Sequence, residues 1–255
     1  MAILSSVMII SREATAEKQA RVDLAAAFRL AALNNWHEAI ANHFSLAISD
    51  EGKTFLMNRK WVHFSRIRAS DLLSVHADDK AAMERPDAPD PSAWCIHGAI
   101  HAALPHARCI LHVHPPYATA LCALADPDLK PVDQNTARFF NRLVIDLNYG
   151  GIADNDEEGA RLARALGNRS IMMMGNHGVL VTGPSVAEAY DTLYYLERAC
   201  QTMMLAYSTG RPLNVMPDAL AERTAKGWED YTESSFAHFA EMKRVLDRQD
   251  ASYAD

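Results

Sequence analysis

Three histidines have the side chains and spacing to hold a metal ion. His112 and His114 flank Val113 in CILHVHP, and His177 lies about sixty residues later in MGNHGVLV. Side chains two apart on a strand point to one face, so His112 and His114 share a face with Ile110, while Cys109, Leu111 and Val113 take the other. Two buried neutral imidazoles need partners, and a cation between them is one way to supply those partners. His177 sits between two apolar strand-like runs, where Gly175 and Gly178 allow a tight turn and a close backbone approach. Two imidazoles from one strand and one from a separate turn make a three-nitrogen face on a divalent ion. Its remaining positions then stay open to substrate oxygens. Histidine is also concentrated locally, with five of the eleven falling between His97 and His114.

The elements that position these residues can be read from periodicity and punctuation. Residues 16–36 carry Val22, Ala26, Phe28, Leu30, Leu33 and Trp36 among charges and form an amphipathic helix. Strand-like pieces follow at Phe44–Ile48 and Thr54–Asn58 across the turn 49–52. Asp78–Pro91 reads as a surface loop, and Ser92 precedes a helix expected to run through Leu104, where Pro105 stops it. Arg108–His114 is a strand ended by Pro115-Pro116, because proline cannot donate to a ladder. A helix is expected over Tyr117–Leu124, a strand over Leu143–Leu147, a helix over Glu157–Leu166, and strands over Ile171–Met174 and Val179–Thr182. Ser185 with Glu188 makes a capping box that opens a long helix to about Tyr207. The order predicts an α/β fold, helices packed on a mixed or antiparallel sheet.

Composition sets the class. The 255 residues, 49% hydrophobic and 22% charged, suit one domain spanning 1–255, with an N-terminal arm (1–15) and a C-terminal helical extension (208–255). A net charge of −7 argues against a nucleic-acid partner. No apolar run approaches the roughly 20 residues that span a bilayer, so no membrane role is expected, and the location expected is cytoplasmic. Cys95, Cys109, Cys122 and Cys200 lie singly and fit a reduced compartment.

The run HGAIHAALPHARCILHVHPPYATALCAL, followed by GNHGVLVTG, resembles the class II aldolase/adducin family. The likeness extends over roughly Ala20 to Tyr207 and includes ANHFS near Asn42 and the helix with LYYLERAC. It implies a three-layer α/β/α domain, usually a homotetramer, and one divalent metal ion (zinc, manganese or iron) on His112, His114 and His177. The family includes sugar-phosphate aldolases, epimerases, decarboxylases and the non-catalytic adducin heads, and its fold also supports mononuclear iron oxygenases.

The sequence departs from the aldolases at one informative place. Where they carry a Ser-Ser-Glu run with an acid/base glutamate, this chain has Pro91-Ser92-Ala93-Trp94, so the glutamate position falls on Ala93. Alanine neither exchanges a proton nor ligates a cation. Asn42 and Ser92 match the family's phosphate pocket, but the usual Thr/Ser-Gly turn is Asn58-Arg59-Lys60-Trp61, where Arg59 or Lys60 offers charge to a carboxylate. Decarboxylation needs the metal's electrostatic help but no carboxylate base. The reading is therefore a metal-dependent carbon–carbon lyase for a small anionic hydroxy-, oxo- or aromatic carboxylate, with decarboxylation favoured over aldol cleavage. The alternatives are a sugar-phosphate-type aldolase, a mononuclear iron oxygenase and a non-catalytic adducin-like module. His97 and Tyr149 are candidates for acid/base work, and Gln134 and Arg138 join Asn42, Arg59 and Ser92 as candidate substrate contacts. Glu197 and Arg198 are read as a structural ion pair.

Overall fold

A computed structural model describes the backbone of residues 2–255 and the side chains from residue 14 onward. Among these residues seven strands form one sheet: β1 His43–Ala47, β2 Thr54–Met57, β3 Leu73–His76, β4 Cys109–Val113, β5 Val144–Asp146, β6 Ile171–Met174 and β7 Val179–Gly183. Eight α-helices accompany them: α1 Ala2–Leu33, α2 Pro91–Ala103, α3 Pro116–Cys122, α4 Gln134–Ala137, α5 Asp156–Leu166, α6 Val186–Ser208, α7 Asp218–Glu229 and α8 Glu233–Gln249. The strand order is β3-β2-β1-β4-β7-β6-β5, and every pairing is antiparallel except β5 with β6, so the sheet is mixed as expected.

The helices divide between the two faces according to the strand pleat. Ile110 of β4 joins Met172, Met174 and Leu180 beneath Ile96 and Ile100 of α2 and Leu162 and Leu166 of α5. Cys109, Leu111 and Val113, the alternate residues of β4, pack on the opposite face with α1, α3 and α6 through Phe28, Leu121, Tyr190 and Leu196. This makes three layers, with β4 and β7 buried throughout at the centre. The parity read for β4 therefore holds, and His112 lies on the α2 side.

Local chemistry explains most of the boundaries. Ser185 accepts from the Glu188 N–H at the start of α6, and its hydroxyl donates to the Glu188 carboxylate. The helix before β4 starts at Pro91, ahead of Ser92, which was expected to precede it. Asp90 caps it through the Ser92 N–H, and Pro91 takes the first helical position, where a missing N–H costs nothing. Strand β3 and the short helix α4 were not foreseen. The former has Leu73 and Val75 facing in, and the latter is closed by a box between Asp133 and Thr136.

The arm expected over 1–15 lies, apart from its last two residues, outside the residues whose side chains are described. After α6 the chain forms helices α7 and α8, and Phe239 and Leu246 of α8 join the large core cluster. Among the described residues no helix is long and apolar enough to cross a membrane.

Candidate metal centre

The two ends of β4 and β7 meet where the chain turns out of the sheet, and three imidazoles converge there. Ring centroids lie 5.1 Å apart for His112 and His114, 4.8 Å for His112 and His177, and 4.8 Å for His114 and His177. One ligand nitrogen from each lies within 4.8 Å of the others. The turn carrying His177 is made by Asn176, whose φ is 53°, rather than by the glycines beside it. The glycines serve close approach instead: a Cβ on Gly178 would come within 2.6 Å of the Val113 carbonyl, and one on Gly175 within 3.1 Å of Leu147.

Two of the three rings are oriented by what their Nδ1 touches. His112 donates from Nδ1 to the Val179 carbonyl at 3.0 Å, which leaves Nε2 as its free lone pair. His114 Nδ1 stands 3.5 Å from the Glu38 carboxylate, and its buried Nε2 has no hydrogen-bond partner. A carboxylate or carbonyl behind each imidazole is the usual second layer of a histidine metal site. Burial holds all three rings below the ordinary imidazole range, with His177 lowered to about 4, so they are neutral donors at working pH. Three neutral nitrogens with one orphaned and buried fit a divalent cation.

The remaining candidates divide into two groups. Tyr149 lies at the mouth, half-exposed, with its ring 5.8 Å from His177. Ser92 and His97 stand behind the centre, both in contact with His43, whose ring packs 4.9 Å from His112. His97 is fully buried and touches none of the three candidate ligands directly, so it is a supporting ring rather than one at the mouth. Asn42, with φ 73°, uses its Oδ1 to accept from the Glu38 N–H and so fixes the segment that bears Glu38.

Arg59 is committed to Asp71 at 2.6 Å, although its buried Nε has no partner. Gln134 and Arg138 stand with the C-terminal helices instead: Arg138 pairs with Asp191 at 2.5 Å and packs on Tyr195 and Trp228.

Glu38, near the site, was missed and Glu197 was misread. Glu38 gave no motif, because its role depends on the irregular turn 34–42. Glu197 does not pair with Arg198. Its carboxylate accepts from the Tyr117 and Ala118 N–H groups at the start of α3, and burial pushes its pKa up to about 7. Helical spacing could have suggested an inward Glu197 but not its partner across eighty residues.

Residues 22–204 match the family described as class II aldolase and adducin N-terminal domain. The chain belongs to the class II aldolase/adducin family. A Caulobacter vibrioides protein that carries an aldolase class 2 name is 34% identical over 99% of this chain and 98% of its own. Human beta-adducin is 30% identical over 77% of this chain, which spans only 27% of that protein. The crystal structure of an aldolase II superfamily protein from Pseudomonas syringae superposes with a TM-score of 0.85 at 33% identity, covering 94% of this chain and 96% of that one.

Proposed function

We propose that this chain is a metal-dependent carbon–carbon lyase acting on a small hydroxy- or oxo-carboxylate, with decarboxylation favoured over aldol cleavage. The observation that carries the reading is the convergence of three neutral imidazoles around the orphaned Nε2 of His114. His112, His114 and His177 would hold a zinc, manganese or iron ion. When bound, such an ion supplies a positive centre that stabilises negative charge developing on a substrate oxygen. The chain does the rest. Val179 and Glu38 fix the rings of His112 and His114, and the half-exposed Tyr149 hydroxyl beside His177 serves as the proton donor at the mouth.

Ala93 supports the preference for decarboxylation. It is buried among Ala47, Phe55, Met57 and Val75, so its position offers no carboxylate base for a retro-aldol step. The test is a screen of the metal-loaded protein for CO2 release across small hydroxy-, oxo- and aromatic carboxylates, with oxygen uptake recorded in parallel. CO2 release that requires His177 supports the lyase; oxygen uptake would favour an iron oxygenase instead. Similarity to beta-adducin favours a second, non-catalytic reading as an interaction module, which predicts no turnover and no need for the imidazoles.

A further inference from the structure

A line of buried polar side chains runs from His112 into the space between the sheet and α2. His43, the cross-strand partner of His112, places Nδ1 2.8 Å from His97 Nε2. His97 Nδ1 is 2.5 Å from Ser45 Oγ, Ser45 Oγ is 2.7 Å from His101 Nε2, and His101 Nδ1 is 2.9 Å from the Ala107 carbonyl. At the near end His43 Nε2 is 3.3 Å from Ser92 Oγ. The three imidazoles are almost wholly buried, and none of them makes an ion pair among the described residues, so each carries a single proton.

Those protons can be assigned one at a time. The Ala107 carbonyl only accepts, so His101 holds its proton on Nδ1 and bares Nε2. Ser45 therefore donates to His101 and, with no second proton, accepts from His97 Nδ1. His97 Nε2 is then a lone pair that accepts from His43 Nδ1. This leaves His43 Nε2 bare. Ser92 does not fill it, because its one hydroxyl proton goes to Asp90 Oδ1 at 2.6 Å. The contact that lacks a proton is also the longest in the line, His43 to Ser92.

We propose that this bare nitrogen selects the substrate: the acid bound at the three-histidine centre carries a hydroxyl beside its carboxylate, and that hydroxyl donates to His43 Nε2. The inference rests on the reading of the site as a metal centre for a small carboxylate, and it narrows hydroxy- or oxo-acid to hydroxy-acid; for decarboxylation that acid is an aromatic one, whose ring takes the electron pair that CO2 leaves, and lactate and pyruvate serve as binding probes only. A 2-oxo acid of the same skeleton brings a carbonyl oxygen, and two lone pairs would then face each other. A site built to accept from a hydroxyl rejects the analogue that lacks one, here by about 10- to 100-fold in affinity.

The test is calorimetric titration of the zinc-loaded full chain with lactate and with pyruvate, in the wild type, His43→Phe and His43→Gln. The wild type is expected to bind lactate about 10- to 100-fold more tightly, and His43→Phe to bind the two alike with its zinc content unchanged. His43→Gln, which can both donate to His97 and accept from a ligand, should recover part of the preference even if the phenylalanine variant folds poorly. Equal affinities in the wild type, or a preference unaltered in both variants, would overturn the role of His43 while leaving the carboxylate site standing. Absence of zinc-dependent binding of either acid would overturn both.

Discussion

Gly178 and His114 sit so close that a Cβ on the glycine would lie 2.3 Å from Cδ2 of the imidazole. No side chain other than hydrogen is compatible with the ring where it stands, and the same Cβ would lie 2.6 Å from the backbone carbonyl of Val113. Gly178→Ala is therefore expected to push His114 out of the cluster. Overpacking of this kind costs about 1–3 kcal/mol, and displacing one ligand should weaken metal binding by at least about 10-fold. Thermal melts with and without added zinc check both parts. A variant that keeps wild-type zinc affinity would show that His114 is not held as described.

The missing glutamate makes a second prediction. Ala93 is packed with Phe55, Met57 and Val75, so Ala93→Glu buries a carboxylate in apolar surroundings at a cost of several kcal/mol. The variant should melt well below the wild type and gain no cleavage of fuculose- or ribulose-type phosphates, on which the wild type should also be feeble. The loss of a positioned base is typically worth about 10²–10⁴-fold in rate. Robust retro-aldol turnover of either phosphate by the unmodified protein would contradict the argument from Ala93.

Much of the candidate site is legible in the sequence. The alternation of Ile110, His112 and His114 against Cys109, Leu111 and Val113 follows from the two-residue period of a strand, and the sheet preserves it. The distant His177 was found because two apolar runs flank it. What strand periodicity does not encode is contact across the sheet or through irregular backbone. His43 looked like one residue of an ANHFS match, and only the register that sets it opposite His112 reveals its place. Glu38 depends on the turn before β1, and Gln134 and Arg138, in a loop that the family resemblance places at the substrate, lie against the C-terminal helices instead.

Glu197 gives a prediction in pH. Its folded pKa of about 7 is above the ordinary carboxyl value of 4.5, because burial disfavours the charged form. The folded state thus holds this proton more tightly than the unfolded chain. The stability that difference contributes is complete below about pH 4.5 and is lost as pH rises towards 7. In Glu197→Gln that slope should disappear. Melting temperatures of the two proteins measured from pH 4.5 to 7.5 should converge or cross as pH rises, whereas parallel curves would mean that Glu197 titrates normally.

The C-terminal helices bear on assembly. Phe239 is used within the chain and Trp228 packs on Arg138, but Tyr231 and Phe236 remain more than half exposed, at 61% and 53%. Light scattering at micromolar concentration is expected to give an oligomer, a tetramer by family resemblance, and a double Tyr231→Ser, Phe236→Ser variant should shift it towards smaller species. A wild-type monomer would remove the proposed role of this surface.

The three-histidine centre stands most directly on metal content, measured by elemental analysis of protein purified without added metal, before and after reconstitution with zinc, manganese or iron. It predicts about one equivalent per chain in the wild type after reconstitution, and a near-complete loss in His177→Ala that keeps wild-type circular dichroism. Substoichiometric metal that none of the three ions restores, or full occupancy in folded His177→Ala, would contradict it.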